Sequence, residues 1–222
     1  MIFFNDNKRT NFLAGGLRPP RRLKVAENTL VTDPRFVAPR RIDHRDYCIQ
    51  TSNQSQTPEC AAYSTAGFIE VKNWMKNHYP EQVNPDPIYN EAKKLDDDNS
   101  PGTSLDNACQ AAFNLKLITG SLNFVEDDIN SIKFAIHTNL VMIGGLMITD
   151  EWNYVNTKTG LIPNYEDKAK QIGGHGILIC GYDDNGIYIQ NSWGSNWGLY
   201  GFAILSWAQV EKQFSYGVVI IP

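Results

Sequence analysis

Cysteine is scarce in this chain: four in 222 residues, at positions 48, 60, 109 and 180. That is too few for the disulfide framework that holds small secreted domains together. If one of the four is a reactive nucleophile, at most one bridge can form among the others. Spacing leaves open whether Cys48 and Cys109 are that pair. No two cysteines stand at CxxC spacing and the four histidines (44, 78, 137 and 175) are scattered, so no metal site is expected. Long apolar runs are also missing. None approaches the roughly 20 residues that a membrane-spanning helix needs, and no membrane partner is expected. The opening MIFFNDNKRT places its apolar residues before its charges, the reverse of a secretory signal peptide. A cytoplasmic protein is expected, or one exported by a route this segment does not encode. No internal repeat or low-complexity stretch is visible.

What is present is an ordinary globular composition with an uneven distribution of charge. A chain of this length can bury a core as one unit or as two small lobes. Residues 1–41 hold nine Lys/Arg against three acids, a net of +6, whereas the remainder holds eleven against twenty-one, a net of −10. The arm is also punctuated by Gly15, Gly16, Pro19, Pro20, Pro34 and Pro39 and shows neither helical nor alternating periodicity. It reads as an extended segment, ordered only where it lies on something, with the compact domain spanning 42–222.

Within that domain helices come first. Cys60 to about Lys76 is helix-compatible, with Tyr63, Phe68, Val71 and Met75 near helical spacing and Pro58 suited to the turn ahead. Further helical candidates run from Pro87 to Leu95, from a Ser104 cap to about Leu117, and over 127–138. Strands follow at Leu140–Thr149, Gly176–Tyr182, Gly186–Gln190, Gly201–Leu205 and Tyr216–Ile221. This order predicts an α+β fold with a helical lobe over about 50–135 and a β lobe over about 136–222.

Three residues carry candidate chemistry. Cys60 falls at a predicted helix start, where the dipole and free N–H groups stabilise a thiolate. Taken alone, it is as easily a small buried hydrophobe. His175 sits in Gly173–Gly174–His175–Gly176 at the start of a buried strand, where small neighbours leave a ring accessible; a turn histidine would look the same. Asn191 opens Asn191–Ser192–Trp193–Gly194, and its side-chain carbonyl can fix an imidazole's tautomer and direction. Trp193 could cover that bond. An aromatic Gly-rich loop packing the core is the plainer alternative.

Taken together, these segments resemble the papain-like cysteine peptidase family, over roughly Ile42 to Ile221. Gln54 with Cys60–Ala61–Ala62–Tyr63–Ser64 is similar to the family's nucleophile block, with the glutamine six residues ahead of the cysteine. Gly174–His175 with Gly181–Tyr182 is similar to its histidine strand. Asn191–Ser192–Trp193–Gly194 with Trp197–Gly198 is similar to its most specific motif. The stretch Pro101–Gly102–Thr103–Ser104–Leu105 resembles bacterial members. The resemblance implies a two-lobed fold with a helical left lobe and a β-barrel-like right lobe, needing no cofactor. It implies Cys60 as nucleophile, His175 as base, Asn191 as orienting residue, and an oxyanion hole from Gln54 and the Cys60 N–H. Trp193 and Ser192 would support the site. Gly102, Thr103, Ser104, Gly145 and Gly174 would line the substrate pocket.

The expected partners are polypeptide substrates, cleaved by an endopeptidase, and the chain's own arm as a short inhibitory pro-segment. Nucleic acid is not expected as a partner. Thr57, Glu59 and Ala61 depart from the family's C-G-[SA]-C-[WY] block, which removes one disulfide and sets a carboxylate beside the nucleophile. Two alternatives use the same residues: a catalytically weak binding protein, and a Cys-His acyltransferase or deamidase.

Overall fold

The computed structural model describes residues 16–20, 29–49, 52–165 and 168–221. Its regular elements are strand β1 (Ile42–Asp43), helices α1 (Cys60–Asn77), α2 (Pro85–Lys93) and α3 (Leu105–Asn114), strand β2 (Ser121–Val125), helix α4 (Ile129–Asn139), strands β3 (Met142–Thr149), β4 (Gln171–Tyr182), β5 (Gly186–Gln190) and β6 (Phe202–Ser206), helix α5 (Trp207–Gln213) and strand β7 (Phe214–Ile221). This is the α+β arrangement expected from the order of helical and strand-forming segments.

Helices α2 to α5 start where the sequence supplies an acceptor for the orphan N–H groups of the first turn. Asn84 caps α2 ahead of Pro85, Ser104 caps α3, Asp128 caps α4, and Ser206 with Gln209 forms a reciprocal capping box on α5. α1 differs: Glu59 precedes it without a side-chain cap bond. α3 stops at Asn114, short of the expected Leu117. Lys116 takes a left-handed backbone (φ 59°), and Leu115 and Leu117, each 37% exposed, have little core to reach.

All strand pairs are antiparallel, in the order β2-β7-β3-β4-β5-β6, with β1 added to β4. β4 is longer than its predicted span, so His175 lies within the strand, opposite Leu146 of β3, rather than at its start. Its alternate residues feed two cores. Leu178 and Cys180 face the cluster built with α1, α2 and α3 (Phe68, Val71, Ile88, Leu105, Ala108), while Ile177 and Ile179 face the cluster with α4 and α5 (Ile132, Ile136, Trp152, Val210). Burial on both faces is why the strand reads as a continuous apolar run instead of alternating. β2 pairs with β7 and touches both cores, with Leu122 and Phe124 against the first cluster and Val125 in the second, which it shares with Ile132 and Ile136 of α4. All four cysteines are free thiols.

The arm's described residues lie on this body at several points. Leu30 donates its N–H to Phe124 O of β2 at 2.8 Å, and Phe36 meets Phe134 of α4 edge-on at 5.1 Å. Residues 16–20 enter the cleft between α3 and the sheet. The rest of the basic arm, 1–15 and 21–28, lies outside the described residues.

The packing of α1 yields a prediction. Phe68, fully buried between the helices and the sheet, should cost about 3–5 kcal/mol on truncation to alanine. Met75→Ala, on the exposed end of the same helix, should stay within about 0.5 kcal/mol. Urea unfolding midpoints of the two variants make the comparison.

Candidate active site

The site forms where β4 crosses the first turn of α1. Gly176 makes the approach possible: a Cβ there would lie 3.2 Å from the Cys60 carbonyl and from the Ala61 nitrogen. Cys60 is therefore the first residue of a helix whose N-terminal N–H groups are uncapped by Glu59, a position that favours an anion. The neighbouring Glu59 has a raised carboxyl pKa, first from its own burial and then from the charge of Asp86.

One residue before Gly176, the fully buried His175 places Nε2 2.7 Å from Asn191 Oδ1. The orientation of that amide follows from its second contact. The Ser192 backbone N–H, which can only donate, meets the same Asn191 atom at 2.8 Å, so that atom is the carbonyl oxygen. Nε2 must then carry the ring proton, which leaves Nδ1 as the basic nitrogen. Nδ1 is buried and has no hydrogen-bond partner among the described residues.

Aromatic rings enclose the pair. The Trp193 ring lies over His175 with centroids 4.8 Å apart, and Trp152 meets the imidazole edge-on at 6.0 Å. Trp197 stacks on Trp152 at 5.9 Å and donates its Nε1–H to the Trp152 carbonyl at 2.9 Å. Trp193 carries a sequence signal, standing beside Asn191. Trp152 carries none, because it arrives from a 3₁₀ turn (Asp150–Tyr154) far away in the chain.

Gln54 is brought in by loop pairing across the lobes. Its N–H bonds Ser192 O at 2.8 Å, Gly194 N–H bonds Ser52 O at 3.0 Å, and Ser192 Oγ donates to Gln54 Oε1 at 2.5 Å. The Gln54 Nε2 donates one hydrogen to Thr57 O at 2.7 Å, leaving its other N–H for a ligand. Ser192 thus holds both Asn191 and Gln54.

Four of the five expected pocket residues touch the arm. Thr103 exchanges backbone bonds with it in parallel register: Thr103 N to Gly16 O at 3.0 Å, and Arg18 N to Thr103 O at 3.1 Å. Leu17 N donates to Gly174 O at 3.3 Å across the cleft. Side chains at Gly102 or Gly174 would collide with the Gly16 and Leu17 carbonyls, and one at Gly145 would meet Leu17 Cδ2 at 2.8 Å. Ser104, the fifth, is buried and caps α3. Tyr216, which sequence reasoning missed, closes the pocket beside Gly145. Its hydroxyl accepts from Leu105 N–H at 3.0 Å and donates to Arg18 O at 3.1 Å.

Burial favours the neutral form of both Cys60 and His175. Burial pushes the Cys60 thiol up to about 11, partly relieved by the backbone N–H groups of Gly176, Ala61 and Cys60 itself. Burial pulls His175 down to about 4, opposed by its bond to Asn191.

The sequence profile of the papain family cysteine proteases matches residues 87–217. An uncharacterized peptidase C1-like protein of Acanthamoeba polyphaga mimivirus is 31% identical over 92 residues, covering 40% of this chain and 30% of that protein. A viral cathepsin of a Cydia pomonella granulosis virus is 26% identical over 227 residues, covering 88% of this chain and 66% of its own length. Among solved structures, xylellain, a cysteine protease from Xylella fastidiosa, superposes with a TM-score of 0.81 at 17% identity, over 93% of this chain and 95% of that one. Digestive procathepsin L 3 of Tenebrio molitor larval midgut gives 0.70 at 16% identity, over 95% and 76%. The fold is papain-like, and the chain belongs to the papain family of cysteine proteases.

The depressed value of His175 fixes a pH dependence. The unfolded ring titrates near 6.5 and the folded one near 4, so acid favours the unfolded chain. This contribution is intact above about pH 6.5 and is lost progressively down to about pH 4, a change on the order of 3 kcal/mol. Wild type should therefore lose about 2–3 kcal/mol more than His175→Gln over that interval in urea unfolding. Parallel curves for the two proteins would contradict a neutral, buried His175.

Proposed function

We propose that this chain is a cysteine endopeptidase using Cys60, His175 and Asn191, held inactive while residues 16–20 occupy its cleft. The observation that carries the reading is the Asn191 amide. Its orientation is set by the Ser192 N–H, it forces the proton of His175 onto Nε2, and it leaves a basic Nδ1 on the strand that crosses the Cys60 helix turn.

In this mechanism a substrate polypeptide replaces the arm. The Cys60 thiol gives its proton to His175 Nδ1, and the resulting imidazolium is held in line by Asn191. The thiolate attacks the peptide carbonyl carbon. The oxyanion is met by the Cys60 N–H and the free N–H of the Gln54 amide, donors of a kind whose individual loss costs about 10²–10³ in rate. His175 protonates the departing amine as the C–N bond breaks. It then takes a proton from water, whose oxygen attacks the thioester; the acid product leaves and the proton returns to sulfur. A groove of about 450 Å³ lined by Arg18, Pro19 and Pro20 together with Asp96, Asp98 and Pro101 adjoins the Leu17 pocket, which supports a cleft long enough for an extended polypeptide.

The arm supports inhibition by position and by chemistry. Gly16 abuts Pro58, where a Cβ would lie 2.7 Å from its carbonyl oxygen, only two residues ahead of Cys60. A segment lodged there excludes both substrate and water, which fits a neutral thiol and a neutral imidazole.

Two experiments test the reading. Cys60→Ala and His175→Ala should each abolish peptide hydrolysis, because nucleophile and base act as a unit. Gln54→Ala should lower kcat more than it raises KM, since its bond strengthens in the transition state. Equal changes in kcat and KM would remove Gln54 from the oxyanion hole. For the arm, Leu17→Asp puts a carboxylate into an apolar pocket, which costs a few kcal/mol. It should raise the rate of Cys60 labelling by an epoxide or vinyl-sulfone probe at least tenfold. Higher salt should narrow the gap from wild type by screening Arg18 from the acidic wall. Labelling at equal rates in both proteins would exclude inhibition by the arm.

A further inference from the structure

The arm also records what its binding site recognises. Beyond the Leu17 pocket, on the side away from Cys60, Arg18 is only 19% exposed, and each nitrogen of its guanidinium fork has a partner. Nη1 lies 3.0 Å from Asp98 Oδ1 and 3.7 Å from Asp96 Oδ2. Nη2 donates to Ser100 Oγ at 2.7 Å and to the Ser100 carbonyl, and Nε donates to Pro101 O at 3.4 Å.

The two carboxylates have different work. Asp96 is 2% exposed and already satisfied by Lys93 Nζ at 2.6 Å, Asn107 Nδ2 at 2.8 Å and Thr103 Oγ1 at 2.9 Å. It shapes the loop that ends at Thr103, and Lys93 balances its charge. Asp98 is 63% exposed and is bonded to Ser100 through its N–H and hydroxyl, and Arg18 is the cation beside it. When the arm leaves, the Asp98 charge and the Pro101 carbonyl lose their cation together, while the Ser100 carbonyl keeps Lys93 Nζ at 2.7 Å. The notch itself remains, because Asp96, Lys93 and the Asp98–Ser100 bonds hold its shape without Arg18.

We infer that this notch is a specificity subsite that takes a basic residue, arginine above all, of the polypeptide substrate. That residue would be the neighbour, on the side away from the cut, of the one filling the Leu17 pocket. The inference rests on the peptidase reading above and extends it: the arm displays a leucine-and-arginine pair that a preferred substrate would carry. Arginine is favoured over lysine because a planar fork reaches a carboxylate, a hydroxyl and two carbonyls at once, whereas an ammonium is a point charge. A general attraction of cationic peptides to the acidic body would not depend on position along the peptide; the notch would.

The test uses the full chain carrying Leu17→Asp, so that the arm is dislodged, and fluorogenic peptides with leucine at the pocket position. The adjacent residue is arginine, lysine, alanine or glutamate. The arginine peptide should exceed the alanine peptide about tenfold in kcat/KM, with lysine between them and glutamate lowest. Asp98→Asn keeps the acceptor for Ser100 but removes the charge, and should bring the arginine-to-alanine ratio to within about twofold of one. Equal rates for arginine and alanine, a ratio unchanged by Asp98→Asn, or the same gain when arginine is moved elsewhere in the peptide would each overturn the subsite. If no peptide is cleaved although Cys60 is labelled, the peptidase reading fails separately. The subsite is then judged from the anisotropy of the same labelled peptides on the full chain with Leu17→Asp and Cys60→Ala. About tenfold tighter binding of the arginine peptide supports it, and equal binding overturns it.

Discussion

The crossing of β4 over the first turn of α1 is the contact on which the rest of this molecule depends. It brings a strand that is buried on both faces against a helix terminus that no side chain caps. Gly176 permits the approach, because any side chain would press on the Cys60 and Ala61 backbone. Both cores are organised around the crossing: Leu178 and Cys180 anchor β4 to the helices, and Ile177 and Ile179 anchor it to the rest of the sheet. A strand gripped on both sides cannot tilt, so the imidazole one residue away is positioned by packing that is remote from the chemistry. Ser192 adds a second tie between the lobes by serving Asn191 with its N–H and Gln54 with its hydroxyl.

The same burial that positions the site also keeps it uncharged. Desolvation acts in opposite directions on a thiol and an imidazole, raising one to about 11 and lowering the other to about 4, and both shifts disfavour the ion pair. Inhibition by the arm would then have two parts: it fills the space of the substrate, and it holds the reacting groups in their neutral forms. Admitting water or a substrate carbonyl relaxes both shifts together. The Gly176, Ala61 and Cys60 N–H groups already favour the thiolate, and the Asn191 bond already favours the imidazolium, so the charged pair is prepared by groups that remain once the arm has gone.

Much of this arrangement was legible in the sequence, for reasons that differ by element. α1, α4 and the strands from β3 to β7 announce themselves through apolar spacing or continuous apolar runs, and Ser104 is readable as a cap. α5 was missed because seven residues between two strands show too little period, although Ser206 and Gln209 form a capping box that could have been read. β2 was missed because its burial comes from β7, almost a hundred residues later. Cys60, His175 and Asn191 stood out because each lies in an unusual local pattern. Trp152 and Tyr216 lie in no pattern; tertiary packing alone carries them to the site. The long β4 was underestimated because Gly173 and Gly174 look like a turn, whereas they sit in the ladder and leave room beside it for the Leu17 backbone.

The charge asymmetry of the chain suggests that a basic arm is drawn to an acidic body, but the contacts divide the work differently. Of the arm's described cations, Arg18 reaches Asp96 and Asp98, Arg40 reaches Asp184 and Arg41 reaches Asp43, while Arg35 pairs with Asp33 of the arm itself. Arg40 and Asp184 are largely exposed, and exposed pairs contribute little. What fixes the arm's path is directional: the parallel pairing of Leu17 with Thr103, the bridge of Thr29 to Phe124, and the glycines that accept its backbone at close range. Charge can therefore speed the arm's approach and select its register at Arg18, while backbone pairing and the Leu17 pocket decide how long it stays. Such contacts are released more readily by a chain that offers comparable hydrogen bonds and a leucine of its own than by salt alone, so on the proposed reading substrate and arm would compete for one site.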